Sequence, residues 1–150
     1  MKKSICCFTG HSKISAKDDV YEKLKSIIVK LIKEKNVCEF FVGNYGDFDA
    51  LSAKAVREIK KDFSDVKLIL VIPYLTAEIE NNKEYFYSHF DAILIADIPE
   101  NTPERYRIIK CNQYMTDKSE YIVTYIRYST GGAIKTYQYA KRKNKNILCL

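Results

Sequence analysis

The sequence predicts an α/β fold of the Rossmann-like, doubly wound kind: a mostly parallel sheet with helices on both faces. Three observations carry this. Short apolar runs alternate along the chain with longer segments whose apolar residues recur every three or four positions. The run Val66 to Ile72 is almost unbroken in apolar character, as a strand buried on both faces requires. Small-residue loops follow several runs and open into helical stretches, the strand–turn–helix order of parallel sheets. With 150 residues, 47% of them hydrophobic and 29% charged, the chain is expected to form one domain over 1–150 with a real core.

Ser4 to Phe8 is the first expected strand, closed by Thr9-Gly10-His11-Ser12. Lys17 to Lys35 follows as a helix, since Val20, Leu24, Ile27, Ile28, Leu31 and Ile32 share one face. Cys38 to Val42 is the second strand. Asp47 to about Asp62 is the second helix, on the spacing of Phe48, Leu51, Ala55, Val56 and Ile59. Val66 to Ile72 ends at Pro73. Leu75 to Ser88 reads as a short helix plus loop, and Phe90 to Ala96 as a short strand. Thr102-Pro103-Glu104 predicts a helix start, with a hydroxyl cap, a proline and a first-turn acid, and the helix should reach about Met115. Tyr121 to Arg127 is rich in β-favouring residues. Gly131-Gly132 opens a last helix to about Arg142, whose basic end suits the helix dipole, and Ile147 to Leu150 is the final strand.

No run approaches the roughly 20 apolar residues of a membrane span, so no membrane association is expected. The apolar run behind Met1-Lys2-Lys3 is too short for a signal peptide, which points to the cytoplasm. The five cysteines form no C-x-x-C pair; Cys6, Cys7, Cys38 and Cys149 fall in strands and read as reduced core residues. His11 and His89 are far apart and match no cysteine spacing, so no metal site and no cofactor is predicted. The net charge of +6 could draw a phosphorylated ligand or nucleic acid, but the lysines read as dispersed over helix surfaces.

Three loops fall at one predicted sheet edge. In Val42-Gly43-Asn44-Tyr45-Gly46-Asp47-Phe48-Asp49 the glycines allow a tight turn, and the helix after them offers free N–H groups to an anion. Asp47 serves equally as a helix cap. Asp49, two residues further in, is suited to a ribose hydroxyl or a backbone amide. Ser129-Thr130-Gly131-Gly132 repeats the arrangement, and Thr9-Gly10-His11-Ser12 supplies a third polar turn. Arg105 has the donor geometry to clamp a phosphate, and Asn112 lies on the same helix. The spacing is neither a dinucleotide fingerprint nor a P-loop, and no Ser–His–Asp or Cys–His nucleophile arrangement stands out.

With these pieces in order, the chain resembles the SLOG superfamily, which includes LOG proteins and DprA, and within it the YpsA-like branch. The matching residues are Thr9-Gly10-His11, Gly43-x-x-Gly46-x-x-Asp49-Ala50, Ile72-Pro73-Tyr74, Pro103-Glu104-Arg105 with Asn112 to Asp117, and Gly131-Gly132-Ala133 with Tyr139-Ala140-Lys141. The resemblance implies a ligand derived from a nucleotide, held where the loops converge, by Thr9, Gly10, His11, Gly43, Asn44, Gly46, Asp49, Pro73, Tyr74, Arg105, Asn112, Ser129, Thr130, Gly131 and Gly132. It also implies self-association, for which the tyrosine-rich segments are suited. LOG-type relatives hydrolyse the N-glycosidic bond of nucleoside monophosphates. Here Gln138 stands where their catalytic Glu falls, and an amide cannot act as that carboxylate. The expected function is therefore nucleotide binding with phosphate at helix N-termini. A phosphoribohydrolase-like N-glycosidase is the second reading, and a DprA-like DNA-associated module the third.

Overall fold

The computed structural model describes residues 2–129 and 131–150. Six strands form one sheet: β1 (Ser4–Gly10), β2 (Val37–Val42), β3 (Lys67–Ile72), β4 (Ala92–Ile95), β5 (Tyr121–Tyr125) and β6 (Asn146–Cys149). Their order is β4-β3-β2-β1-β5-β6, and every neighbouring pair is parallel. The helices are α1 (Lys17–Lys35), α2 (Asp47–Ile59), α3 (Ala77–Asn81), α4 (Lys83–His89), α5 (Glu104–Lys118) and α6 (Gly132–Arg142).

The strand sequences sort themselves onto two faces with period two. Phe40, Val42, Leu68, Leu70 and Ile72 point into one core with α1, α2, α3 and α4. Phe41, Val71, Cys7 and Ile122 point into the other, against Cys111 and Met115 of α5 and Ala140 of α6. This double burial is why the strand runs are nearly continuous in apolar residues. Helix α1 buries Val20, Leu24, Ile28 and Leu31, and it ends where Asn36 turns left-handed and its N–H returns to the Leu31 carbonyl.

Several local expectations change. Asp47 does not cap α2: its carboxylate accepts from the Ile14 N–H at 2.9 Å and lies 3.5 Å from Lys17 Nζ, tying down the loop after β1. Thr102 does not cap α5 with its side chain. Pro103 occupies the cap position, and the Thr102 carbonyl accepts from Arg107 Nε at 3.2 Å. The stretch from Leu75 holds two short helices, not one, with Thr76 Oγ1 accepting from Ile79 N–H and with Ile79 and Phe86 as buried anchors. Cys149 is exposed on the outer strand and is no core residue, whereas Cys111 of α5 is buried. Strand β5 stops at Tyr125, short of the expected Arg127, and the Arg127 and Tyr128 amides are taken by a side chain, that of His11.

Candidate functional site

Moving outward from β1, the chain winds one way through β2, β3 and β4 and the other way through β5 and β6. The switch falls between β1 and β5. The loops leaving their C-terminal ends diverge there and leave a crevice, the usual ligand position in open parallel sheets. A cavity of about 460 Å³ opens at that place. Its walls come from Thr9 to Lys13 at the end of β1 and just after it, Tyr45 after β2, Asp49 on α2, Ile108 and Asn112 on α5, and Tyr128 with Gly131 to Ala133 after β5.

His11 fastens the two sides together. Its Nε2 accepts from the Arg127 N–H at 2.7 Å and the Tyr128 N–H at 3.2 Å. Burial, and after it the Arg127 cation, lowers its pKa from the ordinary histidine value, which keeps the ring neutral. With Nε2 accepting, the neutral ring carries its proton on Nδ1. The ring lies 4.5 Å from that of Tyr128, an aromatic pair that lines the cavity.

Asp49 is the only carboxylate among the lining residues. Its Oδ2 accepts from the Tyr45 N–H at 3.0 Å. Burial pushes its pKa up to about 6, against that one lowering hydrogen bond. Gly43 makes room for it, since a Cβ there would sit 3.0 Å from Asp49 Oδ2. Burial likewise raises the pKa values of neighbouring Tyr45 and Cys111 to about 12, with the Asp49 charge contributing to both. The result is a neutral phenol and a neutral thiol around one acid.

Gly46 shapes the floor from behind. Gly46 has φ of 150°, and a Cβ on it would meet Ser12 Cα at 2.4 Å. The glycine turn opening α6 is different. Gly131 has φ of 101°, and a Cβ on either Gly131 or Gly132 would meet nothing within 4 Å. Here the backbone stands bare toward the cavity, with the amide end of an eleven-residue helix behind it.

Of the residues expected from the sequence, Thr9, Gly10, His11, Asp49, Asn112, Gly131 and Gly132 line the cavity. Gly43, Asn44, Gly46, Pro73, Tyr74, Arg105 and Ser129 do not line it. Gly43 and Gly46 act one layer behind. Tyr74 lies under the Arg107 guanidinium, 5.0 Å from its ring centre, and Arg105 sits 4.9 Å over the Tyr106 ring on the exposed flank of α5, not at the crevice as a clamp. Thr130 lies outside the described residues. Gln138 is exposed on α6 and does not line the cavity. Phe8, Lys13 and Ile108 line it without having been expected there, and Ser12, Tyr45, Tyr128 and Ala133 were expected only as parts of their stretches. Tyr45 and Tyr128 each sit in a loop beside a glycine turn, the one signal that could have singled them out.

No group of three or more His, Cys, Asp or Glu side chains among the described residues could hold a metal ion, and no helix among them is long and apolar enough to cross a membrane.

An all-parallel sheet with helices on both faces and a crevice at its switch point defines a Rossmann-like α/β protein. Its fold is similar to that of solved structures of DNA processing protein A, DprA. The DprA structure from Streptococcus pneumoniae matches with a TM-score of 0.69 at 15% identity, over 97% of this chain and 50% of that one. The Helicobacter pylori protein, described for its single-stranded DNA binding mode, matches with a TM-score of 0.68 at 12% identity, over 97% of this chain and 64% of that one. The chain thus spans between half and two thirds of the structures it resembles. No family model and no curated protein matches the sequence.

Proposed function

We propose that this chain binds single-stranded nucleic acid, seating one phosphate and its adjoining base in the crevice between β1 and β5. The observation that carries the reading is that one crevice is lined both by aromatic rings, the His11–Tyr128 pair and Tyr45, and by the bare Gly131-Gly132 turn. Aromatic faces stack bases of any identity, and a helix N-terminus takes phosphate without reading sequence. Lys13 adds charge at the rim, and Asp49 is positioned to accept from a base amine or a sugar hydroxyl. The DprA fold supports the same choice, because the Helicobacter pylori protein of that fold binds single-stranded DNA. DNA association therefore stands ahead of the small-molecule function that the sequence suggested.

A free nucleotide is the second reading, favoured by the cavity itself: about 460 Å³ lies within the ordinary range of small-molecule pockets. The Gly43-x-x-Gly46-x-x-Asp49 turn supports reading the chain as a YpsA-like variant of the fold, and a cytoplasmic setting suits either ligand.

Fluorescence anisotropy with labelled oligothymidylates and with thymidine monophosphate tests the proposal. Affinity should rise with strand length and fall at least tenfold in Gly132→Leu, whose side chain enters open space. Equal affinity for the monophosphate and the long strand would instead establish the second reading. Absence of binding by any oligonucleotide at low salt, or full binding by Gly132→Leu, would overturn the first.

A further inference from the structure

The net charge of +6 is not spread over the chain. Of its 25 lysines and arginines, 19 lie in residues 1–120, where all 19 carboxylates also lie. Residues 121–150 hold the other six cations, Arg127, Lys135, Lys141, Arg142, Lys143 and Lys145, and no carboxylate at all. The lysines expected to be dispersed are balanced over residues 1–120, and the entire excess lies on α6 and in the segments on either side of it.

The structure gives that excess a shape. Helix α6 begins in the cavity wall at Gly132 and is eleven residues long, about 16 Å at 1.5 Å per residue. Lys135, Lys141, Arg142 and Lys143 are exposed along it and at its end. None of the six cations forms an ion pair among the described residues, whereas Lys17, Lys23, Lys25, Lys60 and Lys61 all do. Two tyrosines are interleaved with them. Lys141 Nζ lies 5.6 Å from the Tyr137 ring centre, and Arg142 and Lys143 flank the Tyr139 ring at 5.9 and 5.4 Å. Tyr139 is held in place by its hydroxyl, which donates to Asp117 Oδ1 at 2.7 Å. Asp117 is the acid of α5 brought against this stripe, and the same hydrogen bond occupies it.

We infer that α6 is a phosphodiester track. It carries the strand away from the crevice along Lys135, Lys141, Arg142 and Lys143, with Tyr137 and Tyr139 as stacking faces. Unpaired cations interleaved with aromatic rings are what a single strand binds without sequence preference. A membrane surface is less well matched, because α6 turns its small residues Ala133, Thr136 and Ala140 inward and leaves no outer apolar stripe. The track rests on the proposed nucleic-acid function and extends it from one nucleotide to several.

The test is the salt dependence of oligothymidylate binding for wild type, for Lys141→Gln/Arg142→Gln/Lys143→Gln, and for a charge-matched control on α1, Lys23→Gln/Lys30→Gln/Lys33→Gln. Each phosphate neutralised on a single strand contributes about 0.7 to the slope of log K against log salt, so losing three contacts lowers its magnitude by about 2. A fourfold rise in salt should then weaken wild type roughly 18-fold more than the α6 variant, while the control follows wild type. Circular dichroism checks that both variants keep wild-type helix content. Equal slopes for all three proteins would overturn the track and leave the crevice reading standing. Equal losses in the two variants would reduce it to a net-charge effect and overturn it as well. Failure of wild type to bind any oligonucleotide, or its sedimentation with phosphatidylserine vesicles instead, would overturn both.

Discussion

Asp49 is the residue whose environment is most at odds with its chemistry. An ordinary carboxyl titrates near 4, whereas burial raises this one to about 6. The folded state therefore holds the proton more tightly than the unfolded chain does. Relative to the unfolded chain, Asp49 disfavours folding above about pH 6, and the penalty disappears as pH falls toward 4. Two pKa units correspond to at most about 3 kcal/mol, less after solvent screening. Asp49→Asn keeps an oxygen for the Tyr45 N–H and removes the charge. Thermal unfolding should show the variant more stable than wild type at pH 8, by several degrees, with the gap closing by pH 4.5. An Asn variant less stable than wild type at pH 8 would mean that the ionised acid has a compensating partner. His11 works in the opposite sense: its pKa is lowered, so the stability it contributes is present above about pH 6.5 and is lost on acidification. The presence of Asp49 in the turn was legible from its position after two glycines. That no cation pairs with it among the described residues was not, because that depends on which helix faces which loop.

At the scale of elements, the critical contact is between β1 and α2. Gly10 closes β1 against Phe48, the first apolar residue of α2, and a Cβ at Gly10 would lie 2.4 Å from Phe48 Cγ. Phe48 is fully buried and stacks on Tyr125 of β5 at 6.0 Å, so it has little freedom to retreat. Gly10→Ala should cost about 1–3 kcal/mol as an overpacked core position, measurable as a lower urea midpoint with an unchanged m-value. Gly10→Ala/Phe48→Leu should recover part of it, and no recovery would place the strain elsewhere. The strands and long helices were legible because their periods are enforced by two buried faces. Helix α1 spans Lys17–Lys35, the range its sequence predicts. The segment between β3 and β4 was less legible, since α3 and α4 have five and seven residues and each hides a single side chain, Ile79 or Phe86. Two anchors are too few to declare a period. Cap assignments at Asp47 and Thr102 failed for other reasons: the Asp47 carboxylate reaches the Ile14 N–H across a loop, and Pro103 takes the cap position that Thr102 was expected to fill.

For the molecule as a whole, what matters most is that β1 sits between β2, which follows it closely, and β5, which begins more than a hundred residues later. The sheet order was not readable from the sequence, although the edge at which the loops gather was, because parallel strands put all their C-terminal ends together. That left the crevice half predicted: the loops after β1, β2 and β5 meet there, while Pro73 and Tyr74 after β3 stay out of it. A fragment ending at residue 120 lacks β5, α6 and β6, so it should leave one side of β1 unpaired, unfold without a cooperative transition by circular dichroism, and bind no oligonucleotide. A sharp transition in that fragment would show that the first four strands are self-sufficient. The position of the seam has a consequence during translation. The crevice joins β1 to the turn that opens α6, so no occupant can engage a chain still emerging from the ribosome until Gly132 has cleared the exit tunnel.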